Sequence, residues 1–430
     1  MHDLVVAGSA LGDLGISDGL IAEIAPEIAG SRRIDARGLA VLPGAIDAHV
    51  HLNDPGRAHW EGFETGTRAL AAGGTTCCFE MPLNSAPATI DGAAFDAKLE
   101  AAGGCALIDF ALWGGIVPGD PDRLDELAAR GVIGFKAFMC PSGIDDFAMA
   151  DDDTLGVAMG RAARLGLPVA VHAEDAALVA AETARLRSAG RSDTRAFLDS
   201  RPIEAECRAI GRAIALAGEA GCALHVVHVS SARGVRLCAE ARSAGADVTC
   251  ETCPHYLLLC EDDLDRLGPL AKCAPPLRSA SERASLWHAL RAGSIALVAS
   301  DHSPAPPELK LRNDFFDVWG GIDGAQHLLA SLLGELPLTQ IQELVSRNVA
   351  ERFRLSGKGR IEVGCDADLA LVAMGQTAPL ARDELRSRHR QSPYLGHRFG
   401  GRVVEVLLRG ERVLSIGHRP AGRLVRPVPA

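Results

Sequence analysis

Through most of its length the chain alternates short apolar runs with Ala/Leu-rich stretches of helical periodicity. Alternation of this kind reads as repeated βαβ units and a parallel sheet. Sustained over about 300 residues, it predicts an α/β fold closed as a barrel, which typically takes ~250 residues. Two helices are explicit. Asp91 can cap one that carries Phe95, Leu99 and Ala102 on one face and that Gly103-Gly104 ends. Ile203, Cys207, Ile210 and Ile214 recur at helical spacing before Gly221, and CALHVVHV then reads as a buried strand. The two ends have a different texture. LVVAG, GLIAEIAP and GLAVLP near the start, and GRIEVGCDADLALVA and GRVVEVLLRGERVLSIG near the end, read as short strands with Gly and Asp turns. The expected architecture is an (β/α)8 TIM barrel over residues 44–358. Residues 1–43 and 359–430 are expected to pair into one small β-sandwich-like domain.

Composition narrows the function classes. With 430 residues, 47% of them hydrophobic, the chain can bury a large core and is not disordered. No apolar run approaches ~18 residues, so no membrane-spanning helix is expected. The start, MHDLVVAGSALGD, lacks a basic n-region, so no signal peptide and a cytoplasmic location are expected. A net charge of −11 without a basic run argues against nucleic acid or an anionic membrane as partner. The expected partner is a small molecule, and the expected assembly a homo-oligomer. Twelve scattered cysteines read as reduced thiols. Only Cys250 and Cys253 form a CxxC, and with no second pair they read as ordinary thiols.

Chemistry-bearing residues collect at the ends of the apolar runs. His49 and His51 stand two apart, so a strand points both the same way, toward a shared metal. Lys136 sits inside VIGFKAFM, one of five lysines against 39 arginines. A buried ammonium is costly unless paired or modified. A neutral amine can take up CO2 as a carbamate, which can bridge two metals; pairing with a carboxylate is the other reading. His172 ends LPVAVH, His228 ends LHVVH, and Asp301 ends SIALVASD. His225, three residues before His228, should face the other side as a structural histidine. Ser303 shares the Asp301 face and His302 does not, so SDHS is no Ser-His-Asp relay. Barrel active sites lie at the C-terminal ends of the strands. Together the six suggest a dinuclear site of nitrogen and oxygen ligands. Two metals ~3.5–4 Å apart can supply a bridging hydroxide and polarise a carbonyl. Asp301 can then take the proton and pass it to a leaving nitrogen, which predicts hydrolysis of an amide-like bond.

These residues resemble the amidohydrolase superfamily, in its cyclic amidohydrolase branch. The HxH strand, the FK strand, the two later histidines, the strand-end aspartate and Gly364-Cys365-Asp366-Ala367-Asp368-Leu369 carry the resemblance. It implies that His49, His51 and Asp301 hold one metal, that His172 and His228 hold the second, and that carboxylated Lys136 bridges both. Zinc, cobalt, manganese and iron all suit such a set. The GCDADL stretch is read as structural. Within the branch, four segments resemble the members that open the hydantoin ring of allantoin: HVHLNDPG, MPLNS, KCAPPLR and SDHSPAPPELK. SPYLG, residues 392–396, adds to this, and Asp54 departs from a usual Glu. Dihydroorotases usually carry Arg where Asn53 stands, as a carboxylate clamp. Hydantoinases and dihydropyrimidinases usually carry a Tyr where Pro141 stands, which leaves the oxyanion donor unassigned. Asn84, Ser303 and His255 are the substrate-pocket candidates. Trp319 to Gly324 is expected to lend backbone contacts from a flexible loop. The competing readings are another cyclic amidohydrolase and a scaffold homologue without metal ligands; the complete ligand set speaks against the latter.

Overall fold

The computed structural model describes residues 2–415 and 420–429. Eight parallel strands form its centre: β1 (Ala45–Val50), β2 (Thr75–Glu80), β3 (Asp109–Leu112, continued by Gly114–Gly115), β4 (Phe135–Phe138), β5 (Val169–His172), β6 (Leu224–Val226), β7 (Val248–Thr252) and β8 (Leu297–Val298). Each pairs in parallel with the next. The ring closes where Val50 bridges His302 and the His51 amide donates to the His302 carbonyl at 2.7 Å. This is the (β/α)8 barrel that the alternation predicts.

Strand periodicity sorts the side chains. Phe135, Ala137, Val169, Val171, Leu224, Val226, Val248 and Cys250 pack in one cluster with helix residues such as Leu155, Ile210 and Val235. Their strand neighbours Lys136, His172, His225 and Glu251 fall on the opposite, interior side. Below the mouth the interior is filled by aromatics, with Phe353 edge-on to Phe79 at 5.0 Å, to Trp113 at 5.3 Å and to His225 at 5.7 Å. The two explicit helices form at Gly92–Ala102 and Ile203–Ala220. The Asp91 carboxylate caps the first through the Ala94 amide at 2.9 Å, and Gly221, at φ 61°, ends the second.

Both termini build a β-sandwich beside the barrel. Leu4–Ser9, Gly12–Ser17, Leu20–Ala25 and Arg33–Asp35 form one sheet; Ala40–Pro43 joins Leu369–Met374, Gly401–Leu408 and Glu411–Arg412 in the other. Leu4, Leu14 and Ile16 share a core with Leu369, Leu371 and Leu407. The stretch read as one β piece from residue 359 becomes strand only at Leu369, because Gly357, Gly359 and Gly364 hold left-handed turns before it. Ile416 and Gly417, the end of the last expected β piece, lie outside the described residues. Beyond them the tail returns to the barrel, where Leu424 bridges Phe110. Among the described residues no helix is long and apolar enough to cross a membrane.

Sandwich and barrel are joined through Asp109, which pairs with Lys358 and, at 2.6 Å, with Arg409. The Lys358 ammonium lies 2.6 Å from Asp109 at the start of β3, 2.7 Å from Asp366 and 2.6 Å from Asp368. The two aspartates of GCDADL are therefore structural, and although these three carboxylates could frame a metal, the ammonium occupies their centre. Removing one partner of a buried ion pair costs about 3–5 kcal/mol. Lys358→Met is expected to lose that much in urea unfolding, with the melting temperature falling accordingly.

Candidate metal centre

At the C-terminal mouth of the barrel lies a cavity of about 590 Å³ whose floor includes His49, His51, His172, His228 and Asp301. β1 brings the first two together, ring centroids 5.4 Å apart. Asp301 Oδ1 stands 3.3 Å from His49 Nε2 and 3.5 Å from His51 Nε2. His172 Nδ1 lies 3.1 Å from His228 Nε2. Strict alternation would turn His228 away from the face of His225. The strand ends at Val226, however, and His228 takes φ 39°, which swings its ring into the site. Asp301 is also left-handed, at φ 47°, so two site residues hold backbone conformations that cost energy outside a functional constraint.

The remaining ring nitrogens fix the tautomers. His49 Nδ1 donates to Glu251 Oε1 at 2.6 Å, His51 Nδ1 to the Leu83 carbonyl at 2.7 Å, and His172 Nε2 to Glu174 Oε2 at 2.8 Å. His49 Nε2 and His51 Nε2 therefore present lone pairs to a carboxylate oxygen. Three acceptors facing one another repel unless a cation lies among them. The 3.1 Å gap between His172 and His228 likewise suits two nitrogens bound to one ion at ~2.1 Å. Burial lowers the pKa of His49, His172 and His228, keeping the rings neutral as ligation requires.

Lys136 completes the cluster from β4. All five lysines are buried, and four of them have partners. Lys98 donates to the Met81 carbonyl at 2.7 Å, Lys358 to three aspartates, and Lys272 and Lys310 to backbone carbonyls. Lys136 Nζ has none, and burial pulls its pKa down to about 7. A neutral, unpartnered amine beside the histidine cluster fits the carbamate reading better than the paired-lysine reading.

The substrate candidates separate. Asn84 and Ser303 line the cavity, whereas His255 is fully buried outside its lining, with neither ring nitrogen bonded. His255 lies on the short helix Pro254–Leu258, which takes its ring off the strand line and against Tyr256 at 4.2 Å. Asn53 orients Asn84, accepting from its amide at 3.2 Å while donating to the Pro304 carbonyl at 3.4 Å. Pro141 lines the cavity without a donor. The residue that sequence reasoning missed is Glu251, which accepts from His49 Nδ1, from His225 Nε2 at 3.0 Å and from the His228 amide at 3.3 Å. Burial would raise its carboxyl; His49 and His225 outweigh burial and hold it at about 2. The usable signal is an ionisable group inside an apolar strand, as for Lys136; Cys250 and Cys253 beside it are buried free thiols.

Comparisons with known proteins show the family and the fold. The amidohydrolase family model matches residues 40–413, and the chain belongs to that family. It is 57% identical to the allantoinase of Rubrobacter xylanophilus, covering 99% of this chain and 96% of that one. It is 49% identical to the allantoinase of Deinococcus radiodurans, covering 99% of each. Among solved structures, L-hydantoinase (dihydropyrimidinase) from Arthrobacter aurescens superposes with a TM-score of 0.95 at 34% identity, covering 99% of this chain and 100% of that one. The dihydropyrimidinase of Brevibacillus agri gives 0.91 at 33%, covering 100% and 98%.

Loss of a carboxylate that orients a ligating histidine typically weakens metal binding about 10–100-fold. Glu251→Gln is expected to lose metal to a chelator at correspondingly lower concentration, read by elemental analysis, with its far-UV circular dichroism unchanged.

Proposed function

We infer that this protein is an allantoinase, which hydrolyses the hydantoin ring amide of allantoin to allantoate in allantoin degradation. The single observation that carries the reading is the site: four histidines and Asp301 at the mouth of a barrel whose sequence is 57% identical to an allantoinase, with the unpartnered Lys136 beside them. Asn53 favours an uncharged substrate, because no cation clamp stands where dihydroorotases carry one. Pro141 argues against the hydantoinase and dihydropyrimidinase type, despite the fold they share with this chain.

His49, His51 and Asp301 would hold one divalent cation and His172 and His228 the second. Zinc is the best match to this donor set, with cobalt, manganese or iron accepted by the same ligands. When bound, the pair polarises the scissile carbonyl and makes water nucleophilic at neutral pH. Lys136, whose unpartnered amine burial brings to about 7, could add CO2 at Nζ with loss of one proton to solvent, and would then supply a carbamate to the two cations. Asp301 takes the proton of the attacking water and returns it to the ring nitrogen as the C–N bond breaks, so the ring amide becomes a carboxylate and a terminal ureido group. Glu251 and Glu174 hold the imidazoles in the ligating tautomers. Asn84 and Ser303 hydrogen-bond the substrate; His255, withdrawn from the cavity, does not reach it. In this reading residues 44–358 carry the chemistry, and segments 1–43 and 359–430 brace it.

The twelve free thiols suit a reducing cytoplasm. The exposed Met374, Val404 and Leu414 suit a homo-oligomer, which light scattering would show as a mass above one chain. The deciding experiment is a panel of allantoin, dihydroorotate, hydantoin and dihydrouracil, with divalent metal and bicarbonate supplied. Turnover of allantoin alone is expected; turnover of another ring alone overturns the substrate reading. Asp301→Asn is expected to lower kcat by at least about 10²-fold.

A further inference from the structure

Segment 315–321 gives the cavity one wall, contributing Phe316, Val318, Trp319 and Gly321. Two buried lysines far apart in sequence converge on its backbone. Lys272 Nζ donates to the carbonyls of Phe315 (2.7 Å), Phe316 (3.1 Å) and Val318 (2.5 Å). Lys310 Nζ donates to those of Trp319 (3.0 Å), Gly321 (2.9 Å) and Pro269 (3.1 Å). Five consecutive-region carbonyls of an irregular segment are thus held by two ammonium groups, each less than 7% exposed. No carboxylate is bonded to either ammonium among the described residues. An ammonium offers three donors and no acceptor, so three carbonyls saturate it. Burial pulls the pKa of Lys272 to about 7 and that of Lys310 to about 8, while three acceptors and no donor around each nitrogen favour the protonated form, whose bonds are about twice as strong as neutral ones.

Backbone contacts lock the same segment further. The Gly321 amide donates to the Lys272 carbonyl at 2.7 Å, and the Trp319 amide to the Leu309 carbonyl at 3.0 Å. Gly321, at φ 147°, lies so close to Ser303 that a Cβ would sit 2.0 Å from the Ser303 carbonyl oxygen. Trp319 packs edge-on to Trp60 at 4.7 Å. The chain expected to be a flexible loop is bolted down from two sides.

We propose that Lys272 and Lys310 are positioning residues that fasten segment 315–321 as a fixed wall of the substrate cavity, so that ring recognition uses a preformed surface rather than a closing lid. Lys310 lies outside the cavity lining, and Lys272, which borders the cavity, spends its Nζ donors on the Phe315, Phe316 and Val318 carbonyls, so both act through the backbone they hold. Both lie in segments that carry the allantoin-type resemblance, KCAPPLR and SDHSPAPPELK, where the reaction itself gives them no role.

Lys310→Met and Lys272→Met, each alone, keep the apolar stem and remove the three donors. The exposed Arg312 next to the wall supplies a tryptic site, and cleavage there requires local opening. The rate of the first cut at Arg312 is expected to rise about tenfold in at least one variant, with metal content at the wild-type level. For allantoin, KM is expected to rise about tenfold with kcat within about threefold, the mark of lost binding surface. A cut rate and KM both within about twofold of wild type in both variants would overturn the proposal, as would a KM rise that appears only with metal loss. The kinetic readout rests on the allantoinase reading; the proteolysis readout does not. If wild type ignores allantoin but the variants are cut faster, the substrate reading fails and the fixed wall stands.

Discussion

Imidazole and carboxylate lone pairs that converge in a dry barrel mouth repel one another unless a cation lies among them. His49, His51 and Asp301 are held in that arrangement by acceptors on their far sides, Glu251 and the Leu83 carbonyl. Those acceptors remove the alternative of a ring proton pointing inward. The rest of the molecule is arranged to maintain this. β-strand alternation puts the histidines, Lys136 and Glu251 inside, left-handed residues at His228 and Asp301 turn the last two ligands inward, and the sandwich is tied to the barrel by Lys358. Cations bound among these lone pairs would offset that cost and would couple metal binding to site integrity.

Lysine use in this chain follows the same logic. Surface cations are arginines, while all five lysines are interior. A compact ammonium with three donors suits a socket of carboxylates or carbonyls, and Lys98, Lys272, Lys310 and Lys358 each occupy one. Lys136 alone has no socket, and it alone stands where a reactive amine is useful.

The sequence shows the barrel because periodicity 2 and 3.6 alternate over a long stretch, and it shows the candidate site residues because ionisable groups end apolar runs. His49, His51, Lys136, His172, His228 and Asp301 meet at one mouth for that reason. What sequence reasoning missed depends on backbone direction after a strand ends, which alternation does not carry. His228 turns inward by a positive φ, and His255 leaves the strand line for a short helix and is withdrawn from the cavity. Glu251 was readable in principle, as a charge inside the strand VTCET, yet its cross-barrel partners His49 and His225 become neighbours only once the barrel closes. The same holds for Lys272 and Lys310, whose partners are carbonyls and leave no mark in composition.

The central claim is that an unpartnered Lys136 completes a two-metal site as its carbamate. The most direct measurement is the metal content of protein incubated with ¹³C-bicarbonate and divalent metal, together with its ¹³C spectrum, in wild type and Lys136→Ala. The account predicts about two metals per chain and a carbamate carbon in wild type, and loss of both together in the variant. Two metals retained in Lys136→Ala, or two metals in wild type without a carbamate signal, would contradict it.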